Sequence, residues 1–569
     1  MKNSEIAGVF RSIASILEIK GENVFRIRAY ERAAQNIAGL SAGIEDLARA
    51  DKLREIPGIG VDLAGKIKEY LESGKIKAYD ELKSSVPEGL IELLEIPSVG
   101  PKTVKLLYQK LKIKNLSGLE KAIRQHKLRG LFGIKDKTIE NIFKGIAILK
   151  KGRERMALGQ AHALANEFIG ALEKLPAVEK ISAAGSLRRQ KETVRDIDIL
   201  MTSRKPKAVM TKFVRLAPVK EILAAGQTKS SVRTKDDVQV DCRVVEEKSF
   251  GAALLYFTGS KDFNIKLRQL AIKKGLKINE YGVFRGDKFI AGRNEEEIFK
   301  LLGLSFIPPE LRENRGEIEL AKSDSLPRLL TLKDIRGDLH AHSTWSDGGN
   351  SVEEMTEAAR TLGYSYIAIT DHSQGLKIAG GLSAAELKKK KSQIEKINKG
   401  LRGFKVLYAA EVDIDSAGRL DYRDEVLKNF DLVVAAIHSG FKQSREQLTK
   451  RVINACRNKY AHIIAHPTGR LWGTREAYDL DLEQVLRAAA DTNTCLELNA
   501  FSQRLDLDSA NCRRAKELGV RLALGSDAHS KEQLAAMKLG VAVARRGWLE
   551  PGDVINTFTL EELLKAVRK

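Results

Sequence analysis

AAGSLRRQKETVRDIDILMTS, residues 183–203, is the stretch on which the reading of this chain turns. An apolar run ends at Gly185-Ser186, basic residues follow, and a second apolar run opens with Asp196 and Asp198. Side chains two apart on a strand point to the same face, so this D-x-D sets two carboxylates side by side. A further alternating run, VQVDCRVV (238–245), can deliver a third, Asp241. Three carboxylates converging on two divalent cations about 3.5–4 Å apart is what in-line phosphoryl transfer demands. A D-x-D pair alone is common on solvated strand edges. A Gly-Ser turn before it and a strand Asp after it make the set specific.

That set is similar to the nucleotidyltransferase superfamily, and the next block narrows the resemblance. LLYFTGSKDFNIKLRQLAIKKGLKINEYGVF (254–284) resembles the thumb of family X DNA polymerases nearly end to end. The resemblance implies that Asp196, Asp198 and Asp241 hold two Mg²⁺ or Mn²⁺ ions, with Gly185, Ser186 and Arg189 at the triphosphate. It implies that Tyr256, Phe257 and Gly259 of the YFTGS loop lie against the incoming sugar, that Asn264 meets a base edge, and that Arg268 contacts the template. Glu280 and Tyr281 match the residues that pair with that arginine on closure. Where the family usually has Gly before the first Asp, this chain has Arg195, which either crowds the triphosphate or adds a cationic contact to it.

Before about residue 180 the segments read as helices separated by glycine-bearing turns. EIPGIGVDLAGKI (55–67) and EIPSVGPKTVKLL (95–107) both give Ile-Pro-x-x-Gly and then an amphipathic helix. They resemble the helix-hairpin-helix motif, which grips the phosphate backbone without reading sequence. Gly58, Gly60 and, in the second copy, Gly100 remove side chains, so N–H groups at a helix start can approach a phosphate oxygen. Ser98 replaces the first glycine of the second copy, and LRGLFGIKDKTIENI (128–142) is a looser third. About residues 5–80 resemble the small lyase domain of family X polymerases, whose Schiff-base lysine falls on Lys66. A neutral amine there can attack the C1 aldehyde of an abasic sugar. Two positions that are basic in the family hold Arg26 and, with the opposite charge, Asp62.

From about residue 335 short apolar runs recur, each ending in a polar residue: DLHAH (His340, His342), YIAITDH (His372), KVLYAAE (Glu411), LVVAAIH (His438), HIIAH (His466), CLELN (Glu497, Asn499) and RLALGSDAH (Asp527, His529). The marks are spaced by 32, 39, 27, 28, 31 and 30 residues, the length of one strand–helix unit. Seven such units suggest a closed or nearly closed (βα)₇ barrel, with its chemistry at the C-terminal strand ends. Six histidines at strand ends, with carboxylates among them, suit Zn²⁺, Mn²⁺ or Fe. The pattern H-x-H, D-H, E, H, H, D-x-H resembles the polymerase-and-histidinol-phosphatase (PHP) family. That resemblance implies up to three ions, Mn²⁺ and/or Zn²⁺, on His340, His342, Asp347, His372, Glu411, His438, His466, Asp527 and His529. Arg470, in HPTGR, is either a phosphate contact or a surface arginine. For family X members with this domain, the resemblance implies Mn²⁺-dependent 3′→5′ exonuclease activity, 3′-end cleaning and abasic-site incision.

Composition agrees with this organisation. At 569 residues the chain is too long for one ordinary domain. Of its net charge of +22, residues 1–330 carry about +18 and residues 331–569 about +4, which points a polyanion at the first part. Four scattered cysteines (Cys242, Cys456, Cys495, Cys512) favour a reducing compartment over disulfides or a cysteine zinc site. The N-terminal stretch reads as an amphipathic helix and not as a leader, so a cytoplasmic monomer is expected. The expected fold is multidomain, in three parts: an all-α helix-hairpin-helix N-terminal region, an α+β nucleotidyltransferase palm with thumb, and a C-terminal (βα)₇ PHP barrel. Its expected limits are a lyase-like domain (1–80), helical fingers (81–150), palm (151–250), thumb (251–318), linker (319–333) and barrel (334–569). The function expected is short-gap DNA synthesis in repair, with dNTPs and gapped or nicked duplex DNA as partners. Two alternatives stay open on sequence alone: a repair nuclease whose palm only binds DNA, and a non-catalytic DNA-binding scaffold.

Overall fold

The computed structural model describes residues 2–38, 44–56, 58–94, 96, 99–129, 131, 134, 138–139, 142–143, 146, 155–472, 475 and 477–569. It divides into two compact units, residues 1–155 with 261–277, and residues 156–260 with 278–569.

Among its described residues the first unit is helical and holds two small apolar cores. One gathers Phe10, Tyr30, Ile56, Ile59 and Ile67; the other gathers Leu90, Ile96, Val99, Val104 and Leu107. Each core takes in the apolar residues of one Ile-Pro-x-x-Gly stretch, and the same hydrogen bond recurs in both. Ile59 N–H donates to Ile56 and Val99 N–H to Ile96, both at 3.0 Å. Gly60 and Gly100 then start the helices Val61–Ser73 and Pro101–Leu111. Most of the looser third copy lies outside the described residues. The helix Lys261–Lys273 groups with this unit.

The second unit opens with an α+β domain. Strands β1 (Val178–Ala183), β2 (Asp196–Ser203), β3 (Val219–Ala225), β4 (Lys229–Thr234) and β5 (Gln239–Val245) form a sheet of order β1-β2-β5-β4-β3. β2 and β5 run parallel and the other neighbours antiparallel. The apolar residues of β2 pack under the helices Leu158–Glu173 and Pro206–Phe213, whose Phe168 and Phe213 rings lie 5.6 Å apart. Residues 319–333, read from sequence as a linker, are mostly exposed but pinned at Leu329 and Leu330, which are buried, and Leu330 N–H donates to the Leu549 carbonyl at 2.9 Å.

The rest is the barrel. β6 (Gly337–Ala341), β7 (Tyr366–Ile369), β8 (Lys405–Asp413), β9 (Leu432–Ala436), β10 (Ile463–Ile464), β11 (Cys495–Asn499) and β12 (Leu522–Gly525) lie side by side in chain order, all parallel. Continuous apolar runs are required because both faces of such strands are covered, and every residue of β7, β9 and β11 is buried. The ring nearly closes where the last strand meets the first. There Asp527 N–H donates to His340 and His342 N–H to Ala528, at 2.9 and 2.8 Å. Ser351, Ser383 and Ser444 each cap the helix that returns the chain to the next strand, with Glu354, Glu386 and Gln447 completing capping boxes. One apolar cluster runs from Leu158 and Phe168 of the α+β domain into the barrel, so the two share a core.

Candidate functional site

In the α+β domain the parallel register sets Asp198 directly beside Asp241, and Asp196 beside Gln239. Gln239 Nε2 donates to Asp241 at 3.1 Å and fixes its carboxylate. Burial, and after it the charges of Asp196 and Asp241, push Asp198 up to about 7. Carboxylates crowded near the start of two neighbouring interior strands are the electrostatic signature of a cation site. Among the described residues the groups of three or more donor atoms within 4.8 Å of one another all lie in the barrel, and Asp196, Asp198 and Asp241 do not form one. Gly185 closes over these carboxylates with φ +61°, and a Cβ there would stand 2.3 Å from Asp198 Oδ2. Only glycine allows that approach. Arg195 leans on the cluster, 3.6 Å from Asp196 and largely exposed.

Ser186 is half-buried on the short helix Gly185–Arg188. Arg189 Nε pairs with Glu313 at 3.0 Å, and its guanidinium also donates to the Thr258 carbonyl. Arg188 binds Glu295 through two bonds of 2.8 and 2.7 Å, and Glu295 also takes the buried Arg312. The Tyr256 and Phe257 rings meet edge to face at 5.1 Å, with the Arg243 guanidinium 4.4 Å above Phe257. Gly259, at φ +68° and ψ −156°, holds a backbone conformation closed to other residues. Tyr281 is exposed, and its carbonyl takes a bond from Ser249 at 2.7 Å.

In the first unit Asn264 and Arg268 stand one helical turn apart, with Arg268 Nε 3.3 Å from the Asn264 carbonyl. A Cβ added at Gly60 or Gly100 would meet nothing within 4 Å, so packing does not demand glycine there. Gly58, at φ +82°, does need to be glycine. Lys66 is largely buried and paired with Asp62, and Arg26 lies 3.8 Å from Glu22.

The barrel site is built around Glu411, at the end of β8. His372 Nδ1, His466 Nε2 and His438 Nε2 stand 3.0, 2.9 and 3.2 Å from its carboxylate, and His340 and His342 3.4 and 3.5 Å away. Donor atoms fall into three overlapping groups, each within 4.8 Å: His342, Asp347, His372 and His529; His340, His342 and Asp527; His372, Glu411 and His438. His340 Nε2, both nitrogens of His342, and Glu411 Oε2 are buried and make no hydrogen bond. Buried polar atoms without partners cost stability, and this set points its lone pairs inward; it fits a cluster of divalent cations. His466 and Asp527 hold φ of 28° and 53°, the backbone strain that functional sites retain. The local charge balance is acute. Burial opposes protonation of His372 and His438, yet Glu411 together with Asp347 at the first and Asp413 at the second outweighs it and pushes them up to about 10 and about 9. Burial alone dominates at His342, which falls to about 4.

A second ring of polar groups orients these ligands, and most of it escapes sequence reading. Glu497 Oε1 takes His340 Nδ1–H at 2.6 Å, while Oε2 takes the His466 N–H at 2.7 Å. Asp413 holds His438 Nδ1 at 2.5 Å. It lies two residues beyond Glu411 on β8, on the same face of the strand, a spacing that could have been read. Asp371, fully buried, takes the Ser343 N–H at 2.7 Å and Lys390 at 2.8 Å, and Lys390 also bonds the Ile369 and Ala409 carbonyls. Arg470 proves to be neither a site nor a surface residue. Its guanidinium turns instead onto the Arg504 and Leu505 carbonyls, in the segment that follows β11. Arg504 reaches the site instead, with Nε 3.2 Å from Asp527 Oδ2 and Nη1 buried without a partner.

Family models match in four places: a helix-hairpin-helix domain over residues 1–76, a SAM-like helix-hairpin-helix tandem over 90–147, a DNA polymerase beta thumb over 253–313, and a PHP domain over 338–500. The chain is 41% identical over 567 residues to a Bacillus subtilis protein named DNA polymerase/3′-5′ exonuclease PolX, covering 99% of each. It is also 32% identical over 247 residues to a probable phosphatase of Thermoanaerobacter, covering 41% of this chain and 95% of that one. A probable phosphatase of Caldanaerobacter subterraneus is 35% identical over 204 residues, covering 34% of this chain and 75% of that one.

Proposed function

The chain belongs to the PolX family of DNA polymerase/3′–5′ exonucleases, and on that premise we propose how its residues divide the two reactions. It is a DNA polymerase whose PHP domain carries a metal-dependent exonuclease. In the palm, Asp196, Asp198 and Asp241 hold two Mg²⁺ or Mn²⁺ ions. In the barrel, the nine residues from His340 to His529, eight of them in the three donor groups and His466 beside Glu411, would hold up to three, Mn²⁺ and/or Zn²⁺. When bound, the cations supply Lewis acidity, toward the primer 3′-hydroxyl and departing pyrophosphate in the palm, and toward water and the scissile phosphate in the barrel.

The protein's own groups do the rest. Ser186 and the N–H groups beside Gly185 cradle the dNTP triphosphate, and Arg189 turns from Glu313 to meet it. Tyr256, Phe257 and the exposed backbone at Gly259 lie against the sugar, where a 2′-hydroxyl would clash. Asn264 and Arg268 track the nascent base pair and the template. In the barrel, Glu497 and Asp413 fix the tautomers of His340 and His438, and Arg504 offers its free N–H groups to the phosphate. Gly58, Gly60 and Gly100 let the hairpins approach the DNA backbone, and Lys66 serves an abasic-site lyase. The proposed domains are the lyase-like hairpin domain (1–80), fingers (81–150), palm (151–250), thumb (251–318) and PHP barrel (334–569). The natural task is gap filling by a cytoplasmic monomer: the barrel prepares a 3′-hydroxyl and the palm extends it.

The observation that carries this reading is two separate acidic clusters in one chain, one where β2 and β5 begin and one at the C-terminal strand ends of the barrel. A 5′-labelled gapped duplex, with and without dNTPs, under Mg²⁺ or Mn²⁺, tests it. Asp198→Ala removes extension and leaves digestion; His342→Ala and His466→Ala do the reverse. Should either change abolish both activities in a folded protein, the division between two sites is wrong.

A further inference from the structure

Arg546, on the barrel helix Met537–Arg546, sits at the junction with the palm and is almost fully buried, its side chain 3% exposed. It reaches across to the loop that links the triphosphate turn to β2. Its Nη1 donates to the Arg189 carbonyl at 2.6 Å and to Glu313 Oε1 at 3.1 Å, and its Nε lies 3.8 Å from Glu192. Glu192, at the far end of the same loop, is anchored to the barrel a second time through the Ser509 N–H at 2.9 Å. Next door Arg545 binds Glu310 at 2.7 Å and the Leu330 carbonyl at 3.0 Å. The decisive detail is that Glu313 Oε1 is shared: Arg189 Nε stands 3.0 Å from it and Arg546 Nη1 3.1 Å.

A buried carboxylate stripped of its only cation is strongly unfavourable. If Glu313, itself 15% exposed, had Arg189 alone, moving Arg189 onto a triphosphate would leave that carboxylate unpaired. With Arg546 on the same oxygen, Glu313 keeps a counter-ion whichever way Arg189 turns. We propose that Arg546 is a positioning residue for nucleotidyl transfer, contributed by the PHP barrel, which holds the 186–192 loop and lowers the cost of releasing Arg189 from Glu313 to the incoming dNTP. The inference rests on the reading of Arg189 as a triphosphate contact. It makes the barrel a working part of the polymerase site as well as the seat of a second activity.

The test is steady-state primer extension with the full-length chain, with exonuclease rate on single-stranded DNA measured in parallel. Arg546→Met raises the KM for dNTP on the order of tenfold, with a smaller change in kcat, and leaves digestion at the wild-type rate. Arg546→Lys, which keeps the charge, recovers part of the loss. Adding Glu313→Gln to Arg546→Met restores the KM, because an amide no longer holds Arg189 back. An unchanged KM in Arg546→Met, or a loss that Glu313→Gln does not relieve, overturns the inference, and so does parallel loss of both activities. Should Arg546→Met fail to fold, Arg546→Lys with and without Glu313→Gln gives the same comparison. Arg189→Ala separates the two layers. If it leaves the KM for dNTP untouched, the triphosphate assignment itself fails; if it raises KM while Arg546→Met does not, only the role of Arg546 falls.

Discussion

Glu497→Gln is the smallest change that should disable the barrel, and its effect can be worked through atom by atom. Glu497 is buried and accepts three bonds: from His340 Nδ1 on one oxygen at 2.6 Å, and from the His466 N–H and Asn499 Nδ2 on the other at 2.7 and 3.1 Å. A glutamine has one oxygen to offer. The two donors on the His466 side claim it, which turns the amide NH₂ toward His340. Nδ1 must then accept, and the ring proton moves to Nε2, the atom that faces Glu411 and Asp527. A protonated nitrogen cannot ligate a cation. Losing an orienting partner of this kind costs on the order of 10- to 100-fold in metal affinity, or roughly 1.4–2.8 kcal/mol at 1.4 per tenfold. The tautomer reversal places the expectation at the upper end. Calorimetric titration with Mn²⁺, and the Mn²⁺ dependence of 3′-end digestion, read it directly, while primer extension by the same preparation reports that the chain is folded. Wild-type Mn²⁺ affinity in Glu497→Gln would refute the account of His340.

Other consequences are equally open to measurement. Gly185→Ala drives a methyl to within 2.3 Å of Asp198 at a positive φ, so primer extension falls on the order of a hundredfold while digestion continues. Gly60→Ala and Gly100→Ala meet no neighbour, so they cost at most about 1 kcal/mol in stability yet weaken DNA binding severalfold. Fluorescence anisotropy with two unrelated duplexes checks this, and a loss confined to one sequence would contradict backbone gripping. For Glu295, burial favours the protonated form, but Arg312 and Arg188 outweigh it and hold the carboxyl at about 2. A folded value depressed from 4.5 contributes stability above that pH and loses it as pH falls toward 2, ~3 kcal/mol in all. Acid unfolding followed by circular dichroism should therefore be less steep between pH 4.5 and 2 in Glu295→Gln than in the parent chain.

Much of this protein was legible one segment at a time, wherever function depends on local periodicity. Asp196 and Asp198 share a face because strands alternate, and that holds in any fold. The barrel ligands recur at strand–helix intervals because each is fixed by its own strand end. The paired hairpin turns announce themselves through Ile-Pro-x-x-Gly. What no local pattern contains is which distant groups meet. Glu497 orients His340 from 157 residues away, and Lys390 ties two strands together behind His372. Arg504 occupies the place that Arg470 would take on sequence grounds. The same limit hid the union of palm and barrel, whose apolar residues form one cluster, and the burial of Leu329 and Leu330 within the segment 319–333 that composition reads as a linker. The sequence alone determined which chemistries are present, because ligand type and strand periodicity are properties of neighbours along the chain. Only the tertiary structure decided how they are joined, with Arg546 and Arg189 brought to one carboxylate oxygen from opposite ends of a shared core. Such pairings follow from how the elements pack, and packing is a property of the whole fold.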